Sequence, residues 1–142
     1  MRRLGIAISA LVLVVIIAGC GNTGADNSTN ASNIGIDSKF YSVLTDDASL
    51  TSGKMIYEQN CAVCHGKDGG GVVGPNFADE YWIHGNTFQD LFPIVLNGVY
   101  EKGMIAYKNK FDSKQIQDAL SYISTLQGTT PSNPKAPEGK KY

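Results

Sequence analysis

The most chemically loaded stretch of this 142-residue chain is Cys61-Ala62-Val63-Cys64-His65, in which two thiols stand three positions apart and an imidazole follows the second. Sulfur and imidazole at this spacing suit a zinc half-site, a redox dithiol or the covalent attachment of a haem. A structural zinc asks for four Cys or His ligands, and outside this motif the chain holds only Cys20 and His84. A thioredoxin-like dithiol needs a βαβ setting, and the rest of the chain gives no sign of one. The haem reading fits the spacing itself. Two thiols on one helical turn add to two vinyl groups, and the next residue's imidazole reaches the iron. The motif therefore predicts one covalently attached haem c, with Cys61 and Cys64 as its thioether links and His65 as an iron ligand.

An iron so held needs a sixth ligand or leaves an open position. Met55 precedes Cys61 by only six residues, too few to wrap to the far face. Met104 lies much further along, in Gly103-Met104-Ile105-Ala106-Tyr107, an irregular stretch that could bring a thioether over the distal side. We expect Met104 as the sixth ligand, with a core methionine as the plain alternative and His84 as the other candidate distal ligand.

The elements that must position these groups read as helices. Leu50–Asn60 carries small or apolar residues at helical spacing, with Ser49, Thr51 and Ser52 as candidate caps. Residues 66–76 hold five glycines and a proline in eleven positions and must form a loop. A short helical turn is expected over Asp79–His84. Thr87–Asn97 begins with a cap and repeats apolar groups at Phe88, Leu91, Phe92, Val95 and Leu96. Pro93 within it means either a kink or a start nearer Asp90. Asp112–Leu126 has a capping pair in Asp112 and Gln115 and one apolar face of Ile116, Ala119, Leu120, Ile123 and Leu126, with Gly128 beyond it. No stretch alternates long enough to argue for a sheet. The fold expected is all-α, with three to five helices around one haem.

The N-terminus reads as an address. Arg2 and Arg3 precede an apolar run from Leu4 to Ala18, and Ile17-Ala18-Gly19-Cys20 puts small residues before a cysteine. This resembles a bacterial lipoprotein signal, which implies cleavage before Cys20 and acylation there, leaving the rest of the chain outside the cytoplasm. Fifteen apolar positions fall short of the roughly 20 needed to span a bilayer. The expected organisation is a signal peptide at 1–19, acylated Cys20 and a flexible linker over 20–45, a haem domain at 46–128 and an extended tail at 129–142. Without residues 1–19 the balance is 10 Lys against 13 Asp plus Glu, or −3. No basic stripe exists to neutralise phosphates, so no nucleic-acid partner is expected.

The chain as a whole resembles the class I cytochromes c. Gly53, Tyr57, Cys61, Cys64 and His65 follow that family's G-x-x-x-aromatic-x-x-x-C-x-x-C-H pattern, and Tyr122 matches the aromatic of its C-terminal helix. The resemblance implies a crossing of the first and last helices at Gly53, with Tyr57 and Tyr122 packed there. It also implies that the Pro75 carbonyl in Gly74-Pro75-Asn76 accepts a hydrogen bond from the ring of His65. Within the class, Lys102–Tyr107, Tyr81-Trp82-Ile83-His84-Gly85 and Leu126–Thr129 look like the haem domains of the dihaem subunit of cbb-type cytochrome oxidases, over about residues 50–137. By that likeness Trp82 hydrogen-bonds a haem propionate; a large core aromatic is the alternative. Two departures stand out. Ile105 replaces the usual proline after the methionine, and there is one C-x-x-C-H where that subunit has two.

The function implied is that of a one-electron carrier in a respiratory chain, not an enzyme. Its partners would be redox proteins such as a terminal oxidase or an upstream quinol-oxidising complex, met by a monomer held at the cell membrane or outer membrane by its lipid, with the haem domain facing the periplasm or exterior. The alternatives are a haem subunit of a larger oxidoreductase complex and a haem enzyme or sensor with a labile sixth ligand. Lys102, Lys108, Lys110 and Lys114 flank the methionine segment and offer a basic rim for an acidic partner.

Overall fold

The computed structural model describes residues 37–142. The expected signal peptide, Cys20 and the linker up to residue 36 lie outside the described residues. Four helices dominate: α1 (Asp47–Asn60), α2 (Ala62–His65), α3 (Phe88–Asn97) and α4 (Ser113–Leu126). Two-residue strands β1 (Tyr81–Trp82) and β2 (Lys140–Lys141) form the only ladder among the described residues, antiparallel with Tyr81 opposite Lys141 and Trp82 opposite Lys140. The expected all-α class holds. No helix among the described residues is long and apolar enough to cross a membrane.

Each helix of two turns or more starts where a side chain satisfies its free N–H groups. α1 starts three residues ahead of the expected Leu50. Its cap is not Ser49, Thr51 or Ser52 but Asp46, whose carboxylate accepts from the Ser49 N–H at 2.9 Å, an arrangement that stabilises a helix by about 1 kcal/mol. α3 is capped by a reciprocal box between Thr87 and Asp90, so it starts at Phe88 and Pro93 lies inside it rather than in its first turn. α4 has the predicted box between Asp112 and Gln115, and its five apolar positions are all buried.

The helical turn expected over Asp79–His84 does not form. The Asp79 carboxylate instead accepts from the Tyr81 N–H at 2.8 Å, and the backbone then runs extended to pair with β2, close to the end of the chain. The flexible linker expected over 20–45 is also corrected at its C-terminal end. Ser38–Tyr41 is a 3-10 turn, and Tyr41 packs edge-on against Phe92 with ring centroids 5.5 Å apart. Gln117 Nε2 donates to the carbonyls of Lys39 (3.1 Å) and Ser42 (2.9 Å), and Leu44 N–H donates to Ser121 Oγ at 2.9 Å. These polar groups of α4 are buried and would be costly to leave unpaired, so they hold the segment down.

The core centres on the crossing of α1 and α4. A Cβ on Gly53 would stand 2.0 Å from the carbonyl oxygen of Asp118 and 3.0 Å from Cβ of Tyr122. Only glycine admits that approach. Beside it Tyr57, fully buried, and Tyr122 pack with centroids 5.4 Å apart. The crossing implied by the family pattern is present, and it places the end of α1, and hence the turn Cys61–His65, against the centre of the molecule.

Candidate haem site

Cys61 ends α1 and caps α2, so Cys64 and His65 follow on one continuous turn. Gly66, at φ +80°, stops it. The carbonyls exposed by that stop are then met by the loop 66–76. Val72 N–H and Gly74 N–H both donate to the Cys64 carbonyl at 2.9 Å, and Gly71 N–H donates to the His65 carbonyl at 2.8 Å. Tyr57 adds its hydroxyl, donated to the Gly66 carbonyl at 2.6 Å. The loop is thus folded back over the helix end by the need to satisfy buried backbone.

That fold brings Pro75 to His65. Nδ1 of His65 lies 3.1 Å from the Pro75 carbonyl oxygen. A carbonyl can only accept, so Nδ1 carries the proton and Nε2 keeps its lone pair for a metal. Burial holds the imidazole pKa below its ordinary value, against the raising effect of that hydrogen bond, and so favours this neutral form. The ring is confined further. Phe77 stacks on it with centroids 4.2 Å apart and planes at 14°, and a Cβ on Gly74 would come within 2.6 Å of its Cε1.

The two thiols are free and partly buried. Burial pushes the Cys61 thiol up to about 11, Lys110 opposing the rise and the neighbouring Cys64 adding to it. A redox dithiol works through a lowered thiol pKa, so this environment argues against that chemistry. Nor do three or more His, Cys, Asp or Glu side chains converge as a metal cluster among the described residues, as a structural zinc site would require.

Trp82 is 8% exposed and stacks on Phe77 at 5.9 Å and 18°, yet its Nε1 is buried with no hydrogen-bond partner among the described residues. A buried indole N–H left alone costs about 1–3 kcal/mol. The orphan donor fits an acidic group of a bound cofactor, and the stacking shows the core role as well. Met104, half-buried, sits in a two-sided bridge with Val99: Val99 N–H donates to its carbonyl at 2.9 Å and its own N–H returns at 3.1 Å, across a 3-10 turn closed by Gly103 at φ +82°. Tyr107 then ties this stretch to the motif, donating its hydroxyl to the Asn60 carbonyl at 2.9 Å, one residue before Cys61. Met55 is exposed on α1, and His84 is exposed. Phe77 and Tyr107 are the contributors that the sequence does not single out. Their aromatic character beside Pro75 and Met104 is the one available signal. Of the four lysines, Lys110 donates to Asn60 Oδ1 and Lys114 pairs with Asp118, which leaves Lys102 and Lys108 as exposed cations whose side chains make no ion pair among the described residues.

Helices crossing at a glycine, a C-x-x-C-H turn and a proline-oriented histidine define a c-type cytochrome domain, and the comparisons agree. Residues 48–123 match the family described as cytochrome c oxidase, cbb3-type, subunit III; the chain belongs to this family. It is 30% identical over 97 residues to the cbb3-type cytochrome c oxidase subunit FixP of Azorhizobium caulinodans, covering 63% of this chain and 32% of that one. With the subunit CcoP of Rhodobacter capsulatus it shares 32% over 92 residues, 58% of this chain and 31% of that one. The chain therefore spans about a third of the length of these relatives. Among solved structures, cytochrome cL of Methylophaga aminisulfidivorans superposes with a TM-score of 0.56 at 20% identity, covering 76% of this chain and 71% of that one. Cytochrome cL of Hyphomicrobium denitrificans gives 0.53 at 28% identity, over 56% and 48%. The domain is a cytochrome c with covalently bound haem c, homologous to respiratory oxidase subunits and suited to electron transfer.

Proposed function

We propose that the chain is a monohaem one-electron carrier of a respiratory chain, with thioether links from Cys61 and Cys64, iron ligands His65 and Met104, and a tether through acylated Cys20. The observation that carries this is the 3.1 Å contact from His65 Nδ1 to the Pro75 carbonyl, made on the same turn as both thiols. It fixes tautomer and ring direction at once, as ligating histidines require. A bound haem supplies an iron that alternates between Fe(II) and Fe(III). The chain's own residues do the rest. His65 presents Nε2, Phe77 and Gly74 keep its ring from turning, and Trp82 offers its free N–H to a propionate. The Val99–Met104 bridge and the Tyr107 bond to Asn60 hold the thioether segment in register with the motif. Lys102 and Lys108 are the part of the expected basic rim left for a redox partner, a terminal oxidase or an upstream quinol-oxidising complex. The haem unit proposed spans 46–128 with Ser38–Leu44 packed onto it, a signal is proposed at 1–19, and a bacterial membrane is the proposed site of anchorage.

The relatives are subunits of cbb3-type cytochrome c oxidases, which favours a second reading, a haem subunit fixed in an oxidase complex. Two measurements separate the possibilities. Met104→Ala abolishes the weak long-wavelength ferric absorption that marks an iron–thioether bond; a wild-type protein lacking that band and binding carbon monoxide readily when reduced overturns the carrier reading. Isolation of the full-length protein from membranes distinguishes a free carrier from a subunit that co-purifies with an oxidase.

A further inference from the structure

The family match ends at residue 123, yet the last fourteen residues lie across the loop that orients His65. Ser132 donates its N–H and hydroxyl to Asp68 Oδ2 at 3.0 and 3.2 Å. Lys135 N–H donates to the Gly70 carbonyl at 2.8 Å, and its Nζ donates to the Val73 carbonyl at 3.1 Å, one residue before Gly74. Asn76 Nδ2 reaches back to the Lys135 carbonyl at 3.4 Å. Further along, β2 pairs with β1, Tyr142 N–H donates to the Glu80 carbonyl at 3.0 Å, and Lys141 pairs with the Glu80 carboxylate.

The glycine run Gly69-Gly70-Gly71 is shaped for these neighbours. A Cβ on Gly70 would stand 2.7 Å from Cβ of Pro131, one on Gly71 would stand 3.0 Å from Cβ of Lys135, and one on Gly69 would press on Leu126 at 3.0 Å. Two of the three glycines thus make room for the tail itself. Between tail and loop remains a cavity of about 270 Å³ bordered by Asn76, Asp79, Pro131 and Lys135. The tail is consequently held by discrete hydrogen bonds rather than by continuous packing, and single substitutions can release it.

We propose that Thr129–Tyr142 is a strap that positions the histidine ligand, with Asp68 and Lys135 as its positioning residues. It clamps the loop 66–76 from outside, so that Gly74 and the Pro75 carbonyl stay against the His65 ring. The idea rests on the reading of His65 as iron ligand. Two variants of the full-length, haem-loaded protein test it: Lys135→Met, and a chain ending at Thr130, which loses three lysines and one glutamate. Hydrogen exchange of the Gly71, Val72 and Gly74 amides is expected to accelerate at least tenfold while the amides of α1 and α4 keep their rates, since local opening is separable from global unfolding. The midpoint potential is expected to fall, because lost positive charge and water at the opened loop both favour ferric iron. Unchanged loop exchange, or acceleration spread evenly over all helices, overturns the strap. Localised acceleration with an unmoved or raised potential instead sinks the link to the His65 ligand. Lys135→Met keeps the chain length and supplies the answer if the shortened chain does not fold.

Discussion

Replacing Gly74 by alanine puts a methyl group where the His65 ring already lies. The added carbon would stand 2.6 Å from Cε1, 2.7 Å from Nδ1 and 2.9 Å from Nε2, against 3.4–4 Å for an ordinary contact. Roughly 0.8 Å must be found, and two retreats are open. If the loop backs away, it breaks the Gly74 N–H bond to the Cys64 carbonyl; if the ring backs away, it leaves the Pro75 carbonyl. Either bond is worth about 1 kcal/mol. A ring pushed off its rotamer between Gly74 and Phe77 adds about 1 kcal/mol, and the stiffer unfolded chain returns about 0.5 kcal/mol. The net loss is about 0.5 kcal/mol if the loop retreats and about 1.5 kcal/mol if the ring does, or a Tm lower by about 2–12 °C for a domain of this size. Thermal melting of the haem-loaded variant beside wild type measures it, and the ferric spectrum reports whether the ring has turned. A variant melting at or above the wild-type temperature, with an unaltered spectrum, would refute the claim that Gly74 forms a wall of the histidine's cradle.

The helix crossing tolerates even less. In Gly53→Ala the neighbour 2.0 Å away is backbone, the carbonyl of Asp118, which cannot swing aside; α1 and α4 must separate, at a cost of about 3 kcal/mol against the roughly 1 kcal/mol that alanine returns in helix propensity. Urea titration should show a midpoint well below wild type, and a stabilised variant would mean the helices are free to shift. Acid should loosen the fold in part through the Asp46 cap. Asp46 is held below the ordinary carboxylate range, first by the Ser49 N–H bond, so between its folded value and about 3.9 the unfolded chain binds more protons than the native one. Its contribution is complete above about pH 4 and disappears as pH falls through the folded value. Asp46→Asn, which keeps a capping oxygen, should therefore leave the neutral Tm nearly unchanged and flatten the acid limb of the stability curve. An acid limb as steep as wild type would show that Asp46 carries none of it.

Local signals are legible in the sequence, and contacts across long stretches are not. The C-x-x-C-H motif and the Asp112–Gln115 box are written within a few positions, because one turn of helix is all they need. Gly53 is legible only through resemblance, since its reason, the Asp118 carbonyl, lies in a helix at the other end of the domain. The start of α1 is misread because Ser49, Thr51 and Ser52 are all able caps, and the choice falls to Asp46, whose free carboxylate reaches Ser49. The stretch around Trp82 reads as a turn by itself; it becomes a strand only because Lys140 and Lys141 return to it. Likewise the three-glycine run announces a loop, but the residues that demand those glycines, Leu126, Pro131 and Lys135, come only near the end of the chain.

The meeting of α1 with α4 also sets a clock. Synthesis delivers Cys64 well ahead of Ser113, the first residue of α4. At about 5–20 residues per second the growing chain passes roughly 2–10 s with both thiols made and the helix that covers α1 still missing. Until α4 docks, Gly53 and Tyr57 have no partners in it, and the turn Cys61–His65 is not yet held against the core. Arrival of α4 ends it: Asp118 seats on Gly53, Tyr122 meets Tyr57, and a segment accessible from all sides becomes one face of a closed unit.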